Sequence, residues 1–432
     1  MSEPISVREA PARYLVEPEG QRVRPGYKQT EVGVVPEDWE VIPLGTASEM
    51  SSGTTPPRSL MDRYYRNGSV AWVKTLDLNN SNIVATEECV TDIALKETSL
   101  RCYPTGTVLV EMYGGFNQIG RTRLLKISAA VNQAITAIRP DKRLVPEYLI
   151  RVLNHRVKYW RSVASSSRKD PNITSNDIRN FPIACPDRHE QKVIAEALSD
   201  ADALIESLEQ LIAKKRQLMQ GAMQELLTGK KRLPGFGGEW EVKPLEEIAE
   251  VDSDNLGSDT PFNYTFNYIS LEDVDVGSLR GYSEQIFRTA PSRARRKLKV
   301  GDILVSTVRP NLQSHLLFTQ QQVTWVYSTG FSVVRCKSQY AIPGYVFFHL
   351  FGQQITKQIE ALLTGSNYPA INGGDVKALE IPVPSIEEQT AIAAILSDMD
   401  AGIAALEQQL AKARGIKQGM MQELLTGRIR LV

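Results

Sequence analysis

The chain repeats a segment of itself. Glu190 to Leu233 and Glu388 to Leu431 align without a gap at a constant offset of 198 residues, and about 27 of the 44 aligned positions are identical. Internal repetition of this kind constrains a fold more than composition does, because equal sequences seek equal surroundings. The likeness continues weakly upstream. Ile173 and Asp177 match Ile371 and Asp375, and Ile183 and Pro186 match Ile381 and Pro384. Trp39-Glu-Val-Ile-Pro-Leu44 is echoed by Trp240-Glu-Val-Lys-Pro-Leu245. Between these anchors, residues 45–172 and 246–370 share little. A constant frame therefore holds two different inserts.

The repeated segments read as long helices. In the first, Ile194, Leu198, Ala201, Ile205, Leu208, Ile212, Lys215, Met219, Ala222 and Leu226 alternate steps of four and three. The second gives Ile392, Leu396, Met399, Ile403, Leu406, Leu410, Ala413, Lys417, Met420 and Leu424. Such a stripe is a coiled-coil seam, interrupted once in each copy by a lysine. Pro186 and Pro384 suit the helix starts, and acids crowd the first turns (Asp187, Glu190, Glu387, Glu388), where the helix dipole favours them. Gly229 and Gly427 follow Leu-Leu-Thr and suit the ends. Each helix would cover about 40 residues, or roughly 60 Å. Two helices of ordinary bundles would also carry such stripes. One seam present twice supplies two matching surfaces, which favours pairing of the two helices with each other. An antiparallel pair would set the two inserts at opposite ends of a rigid spacer, with pseudo-twofold symmetry.

The inserts read as mixed α/β. Thr107–Val110, Ala134–Ile138, Asp302–Ser306 and Phe331–Val334 are β-rich runs, and Glu147–Trp160 and Tyr345–Leu363 look helical. Asn67-Gly68 and Pro56-Pro57 mark turns.

Catalytic signatures are sparse. Cys89, Cys102, Cys185 and Cys336 are isolated, as are His155, His189, His315 and His349, so no zinc-ligand spacing exists. Unpaired thiols point to a reducing, cytoplasmic setting. Gly235-Phe-Gly-Gly238 lacks the Lys-Ser/Thr ending of a phosphate-binding loop. Pro186-Asp187, Glu190 and Lys192 imitate a metal-nuclease set but crowd one helix start, whereas such carboxylates belong on neighbouring strands. No run approaches the ~18 apolar residues of a membrane helix. These absences point to a binding protein with no metal and no cofactor of its own.

Charge is balanced overall, at 50 Lys+Arg against 50 Asp+Glu. A nucleic-acid binder is usually basic as a whole, so the distribution decides. Arg151, Arg156, Lys158, Arg161, Arg168 and Lys169 form one run without acids, with Tyr159, Trp160 and Asn172 nearby. Arg288, Arg293, Arg295, Arg296, Lys297 and Lys299 form another, followed by Arg309, Asn311 and Gln313. Arg121, Arg123 and Lys126 make a smaller set. Guanidinium, ammonium and amide groups can neutralise phosphates and read base edges. A solvated surface run is the alternative for each cluster. Acids gather instead on the first helix: Glu196, Asp200, Asp202, Glu206 and Glu209.

This alternation of two unlike domains with two near-identical helices resembles the DNA-specificity subunit of type I restriction–modification enzymes. The marks are Ile381-Pro-Val-Pro-Ser-Ile-Glu-Glu-Gln389, Gln-Glu-Leu-Leu-Thr-Gly at Gln224–Gly229 and Gln422–Gly427, and the opening Tyr27-Lys-Gln-Thr-Glu-Val-Gly-Val-Val-Pro-Glu-Asp-Trp39. Phe181-Pro-Ile-Ala-Cys-Pro186 is an irregular version of the segment before the second helix, and Arg188-His189 stands where that repeat has Ile386-Glu387. The resemblance implies two α/β (α+β) target-recognition domains, at 27–180 and 235–378. They would be separated by repeat helices in 181–234 and 379–432, forming an antiparallel coiled coil, after a polar tail at 1–26. Each domain would read one half of a bipartite site in double-stranded DNA. The helices would set the gap and dock two methyltransferase subunits, and motor-nuclease subunits would complete the restriction enzyme. S-adenosylmethionine and adenine-N6 methylation would belong to the partners. Among the basic and amide residues, the candidates for DNA contact are Arg121, Arg123, Arg151, Arg156, Lys158, Arg161, Arg168, Lys169, Asn172, Arg293, Arg295, Arg296, Lys297, Arg309, Asn311 and Gln313. A specificity subunit of another multi-subunit methylation or phage-defence system fits the same features. So does a coiled-coil scaffold whose variable domains bind proteins.

Overall fold

The computed structural model describes residues 23–78, 82–114, 118–164, 172–321, 324–363 and 369–431. The chain divides into two compact units, Met1–Glu206 with Ala411–Val432, and Ser207–Leu410. Each unit therefore takes its helices from both repeats.

In the first unit, strands β1 (Ser48–Ser52), β2 (Val70–Val73), β3 (Glu88–Val90), β4 (Cys102–Tyr103), β5 (Val108–Glu111), β6 (Thr122–Leu124), β7 (Ala129–Val131) and β8 (Ile135–Pro140) build two four-stranded sheets. Their orders are β1-β8-β5-β6 and β3-β2-β7-β4, with β2 and β7 parallel and the other pairs antiparallel. Helices α1 (Pro146–His155), α2 (Val157–Val163) and α3 (Ser175–Arg179) follow, and then the long α4 (Arg188–Leu226).

The second unit repeats this eight-strand plan and adds a short hairpin, Val274–Asp275 against Ser278–Leu279. Its strands are β9 (Ala249–Val251), β10 (Thr265–Ile269), β11 (Ser283–Ile286), β12 (Ala294–Leu298), β13 (Ile303–Ser306), β14 (Leu316–Leu317), β15 (Trp325–Ser328) and β16 (Phe331–Cys336). They are ordered β9-β16-β13-β14 and β11-β10-β15-β12, and β10 and β15 are the parallel pair. Helices α5 (Pro343–His349), α6 (Gln353–Leu362), α7 (Gly373–Ala378) and the long α8 (Ile386–Leu424) complete it. The two unlike inserts thus share one topology. Each expected helical stretch is two helices, broken at Arg156 and at Leu350–Gly352.

The layering explains the continuous apolar runs. Successive strand residues face opposite ways, and the central strands are covered on both faces. Val108 and Val110 of β5 pack toward the helices with Ile194 and Leu198, while Leu109 packs toward the second sheet with Val73 and Val131. Ile303 and Val305 of β13 pack with Ile392 and Leu396, while Leu304 packs with Ile269 and Tyr327.

Within each unit the start of one long helix lies beside the end of the other, so the pair runs antiparallel. In the first, Ile194 and Leu198 share a core with Leu424, Leu425 and Met420. In the second, Leu226, Leu227 and Met219 share one with Ile392 and Leu396. Of the seam positions, Ile194, Leu198, Leu208, Ile212, Leu226, Ile392, Leu396, Ile403 and Leu424 are buried. Ile205, Met219, Leu406, Leu410 and Met420 are half-buried, and Lys215 is exposed.

The repeated Glu-Gln dipeptide locks each helix start to its domain. The buried Glu190 takes Trp39 Nε1 at 3.2 Å and Arg430 Nε and Nη2 at 2.6 and 2.8 Å. The nearly buried Glu388 takes Trp240 Nε1 at 3.2 Å and Arg232 Nε and Nη2 at 2.7 and 2.6 Å. Gln191 Oε1 accepts from Val145 N, and its amide donates to the carbonyls of Arg143 and Pro186. Gln389 does the same with Ile342, Tyr340 and Pro384. The nuclease-like coincidence dissolves here, since Glu190 sits in this clamp and Asp187 caps the helix by accepting from the His189 and Glu190 amides. No helix among the described residues is long and apolar enough to cross a membrane.

Candidate nucleic-acid interface

The first basic run divides by where its backbone lies. Arg151, on α1, pairs with Asp202 of α4 and donates to Ser199 Oγ at 3.1 Å. Arg156, at the break between α1 and α2, donates to the Pro182 carbonyl and lies 5.0 Å from the centre of the Phe181 ring. Burial pulls its pKa down. Both side chains are thus engaged in holding α1 and α2 in place. The neighbouring Trp160 is fully buried and stacks on Phe181 at 5.1 Å. Lys158 and Arg161 are exposed, and Asn172 is half-buried. Arg168 and Lys169 lie outside the described residues.

The second run starts before strand β12, at Arg288 and Arg293, and continues through it to Lys299, and acids from upstream come to meet it. Arg296 pairs with Asp252 at 3.0 Å and donates to Asn255 Oδ1 at 3.1 Å. Lys297 and Lys299 approach Asp254 at 3.5 and 3.7 Å, and Arg335 joins from β16 at 3.7 Å. Arg295 covers the Phe287 ring at 5.1 Å. Arg293 is exposed. The run is basic as a sequence, but Asp252 and Asp254, some forty residues earlier, offset much of its charge.

Arg121 ends the connection from β5 to β6, and Arg123 is the middle residue of β6. They face Glu111, whose carboxyl is pushed up to about 7 by burial, against the pull of the two arginines. Burial and Arg121 lower the Arg123 guanidinium. The two arginines are half-buried and Glu111 is buried, so this is not a solvated run.

In the second unit the loop at the same place joins β13 to β14 and carries Arg309, Asn311 and Gln313. Arg309 and Asn311 are exposed. Gln313 donates to Thr356 Oγ1 of α6 at 3.4 Å. Arg309 and Gln313 both have left-handed backbones, at φ 51° and 52°.

Sequence reasoning missed the acid partners, because Asp202, Asp252 and Asp254 are remote in sequence from the bases they meet. It also missed the Glu190 and Glu388 clamps. Their signal was present: Trp39 and Trp240, Glu190 and Glu388, and Arg232 and Arg430 are all repeat-matched. Among the described residues no group of three or more His, Cys, Asp or Glu is placed to hold a metal. Burial pushes the Cys185 and Cys336 thiols up to about 12 and the His315 and His349 imidazoles down to about 4 and about 3. Such groups are poor nucleophiles and bases at neutral pH.

Residues 36–214 and 237–413 each match the family model of the type I restriction modification DNA specificity domain. A putative type I restriction enzyme MjaX specificity subunit of Methanocaldococcus jannaschii is 25% identical over 429 residues, spanning 94% of this chain and 97% of that one. The MjaVIII specificity subunit of the same organism is 23% identical over 419 residues, spanning 92% and 94%. The crystal structure of the type I restriction–modification S subunit from M. genitalium is similar in fold, with a TM-score of 0.56 at 16% identity over 89% of this chain and 96% of that one. The two matched stretches fall one in each half and together take in most of the sequence, so the chain belongs to the family of type I restriction–modification DNA specificity proteins.

Proposed function

We propose that this protein is the sequence-reading subunit of a type I restriction–modification assembly. Each α/β domain reads one half of a bipartite site in double-stranded DNA. The antiparallel helices hold the two readers and present protein-facing surfaces to two methyltransferase subunits and, where the system has them, to motor-nuclease subunits. The chain performs no chemistry itself. S-adenosylmethionine is bound by the methyltransferase partners, which transfer its methyl group to adenine N6.

The observation that carries this reading is the pairing of one topology with two loop sets. The strand orders of the two units are the same, while residues 45–172 and 246–370 share little sequence. A scaffold kept constant while its loops diverge is what two readers of different half-sites need, because base-edge readout depends on loop side chains and not on the frame. A protein-binding scaffold would have the same economy. Membership of a DNA specificity family favours DNA.

The test is methylation of a plasmid library by the methyltransferase subunits with and without this chain. The expected result is methylation at one bipartite sequence only when the chain is present. The chain alone with DNA, Mg²⁺ and S-adenosylmethionine should leave DNA unaltered. Site-specific methylation without it, or none with it, would refute the assignment.

A further inference from the structure

The loop between β13 and β14 is built to hold one amide outward. Its turn of 3-10 helix, Pro310–Leu312, is bracketed by Arg309 at φ 51°, ψ 52° and Gln313 at φ 52°, ψ 33°. Two non-glycine residues in the left-handed region within five positions are costly, and such strain persists only where the surroundings enforce it. Those surroundings are visible. Arg309 N donates to the Pro369 carbonyl at 2.8 Å, and Ile371 N donates to the Thr307 carbonyl at 3.0 Å. Val308 and Ala370 form a β-bridge. Gln313 is tied to Thr356, and its carbonyl accepts from His315 N at 2.7 Å. The buried His315 ring accepts from Ser306 N through Nδ1 at 3.2 Å. The loop is thus stapled on both sides and beneath, while its tip stands clear: Asn311 is exposed and Leu312 is 56% exposed.

We propose that Asn311 is a base-reading residue of the second domain, with Leu312 as its apolar neighbour and Gln313 as a positioning residue. This rests on the DNA-reading function proposed above. An asparagine amide has one donor and one acceptor side by side, the pattern that matches adenine N7 and N6 in the major groove. An exposed leucine beside it suits a thymine methyl. A phosphate contact needs neither a paired donor and acceptor nor a fixed direction, so a strained, stapled mount would add nothing to it. Rigid presentation matters for base edges, where a displaced side chain meets the wrong pattern. Strands β5 and β6 hold the corresponding places in the first sheet.

The experiment is selection of binding sites from a randomised duplex pool by the assembled complex, with the intact chain and with Asn311→Ala. The expected result is about a tenfold or greater loss of preference for adenine at one position of one half-site. The other half-site and the salt slope of binding should be unchanged. A uniform loss of affinity across all sequences, with no single position losing its base preference, would make Asn311 a phosphate contact and overturn the proposal. Unchanged preferences at every position, with DNA binding intact, would also overturn it while leaving the overall function standing. For Gln313, glycine keeps the left-handed backbone and valine opposes it. Gln313→Gly should therefore retain more of the adenine preference than Gln313→Val, the two variants being compared at temperatures where both remain folded. Equal loss in both would remove its positioning role.

Discussion

At the scale of single residues, the clamps and the seam carry the energetics. Glu190 is fully buried and its charge is met by Arg430, which also donates to Asp38 at 3.0 and 2.8 Å. Removing one partner of such a pair strands a buried charge and costs about 3–5 kcal/mol, whereas removing both costs much less. Arg430→Ala should therefore lower stability by several kcal/mol in denaturant unfolding, and Arg430→Ala with Glu190→Gln should recover much of the loss. Additive losses would show that the pair is not coupled. The seam gives a second comparison, because Asp202 and Asp400 are repeat-equivalent but meet different neighbours. Burial pushes Asp202 up, but Lys417 and Arg151 more than reverse this, so it titrates below the usual carboxylate range. In the second unit the position of Lys417 is taken by Met219 and that of Arg151 by Phe348. There burial and then Glu407 raise Asp400. A lowered acid stabilises above its unfolded pKa and loses that effect as pH falls through the folded value. A raised acid works in reverse, its penalty growing as pH rises through the folded value. At pH 7, Asp202→Asn should lower the unfolding free energy by up to about 1 kcal/mol and Asp400→Asn should raise it by a smaller amount. Thermal melts at pH 7 and near pH 3 would check this, since both differences should shrink in acid. Shifts of the same sign for the two variants at pH 7 would contradict it.

At the scale of elements, the helices were the most legible part of the sequence. Periodicity, flanking prolines and terminal glycines predicted them, and they run Arg188–Leu226 and Ile386–Leu424, with Gly229 and Gly427 left-handed at φ 70° and 67°. The pattern worked because a seam is a local statement, repeated every seven residues. The basic runs were less legible. Charge along a strand says nothing of what crosses beside it, and Asp252 beside Arg296 is a contact made by chain folding. Likewise the mount of Asn311 depends on residues 369–371, about sixty positions later. Helix α4 contributes its first half to one unit and its second half to the other, which makes it the element to lengthen. Inserting four residues near Glu206, about 6 Å of helix, should change the gap between half-sites while leaving both half-site sequences as they were. Methylation mapping would read this directly, and an altered half-site sequence would contradict the division of labour between helix and domain.

At the scale of the whole molecule, duplication is deeper than identity shows. The eye finds two helical repeats and two unlike inserts, yet each insert has the same eight strands in the same order. The reason lies in what the sheets demand. A central strand needs only apolar residues on both faces, so Val108 of β5 and Ile303 of β13 serve equally against the helices. Topology persists through such exchanges, while loop residues, released from packing, diverge. Net neutrality fits the same division, since acids at Asp202, Asp252 and Asp254 offset bases inside the units. Phosphate neutralisation by this chain is then modest, and a reader working within an assembly can leave the rest to its partners. It follows that the inserts should be exchangeable as blocks. Replacing residues 45–172 with the equivalent stretch of another specificity protein keeps Trp39, Glu190 and Arg430 in place, and the graft meets the same helix ends. The expected outcome is an active methyltransferase whose site keeps the gap and one half-site and takes the other half-site from the donor. Changes in both half-sites would mean that the two domains read jointly, and the modular account would fail.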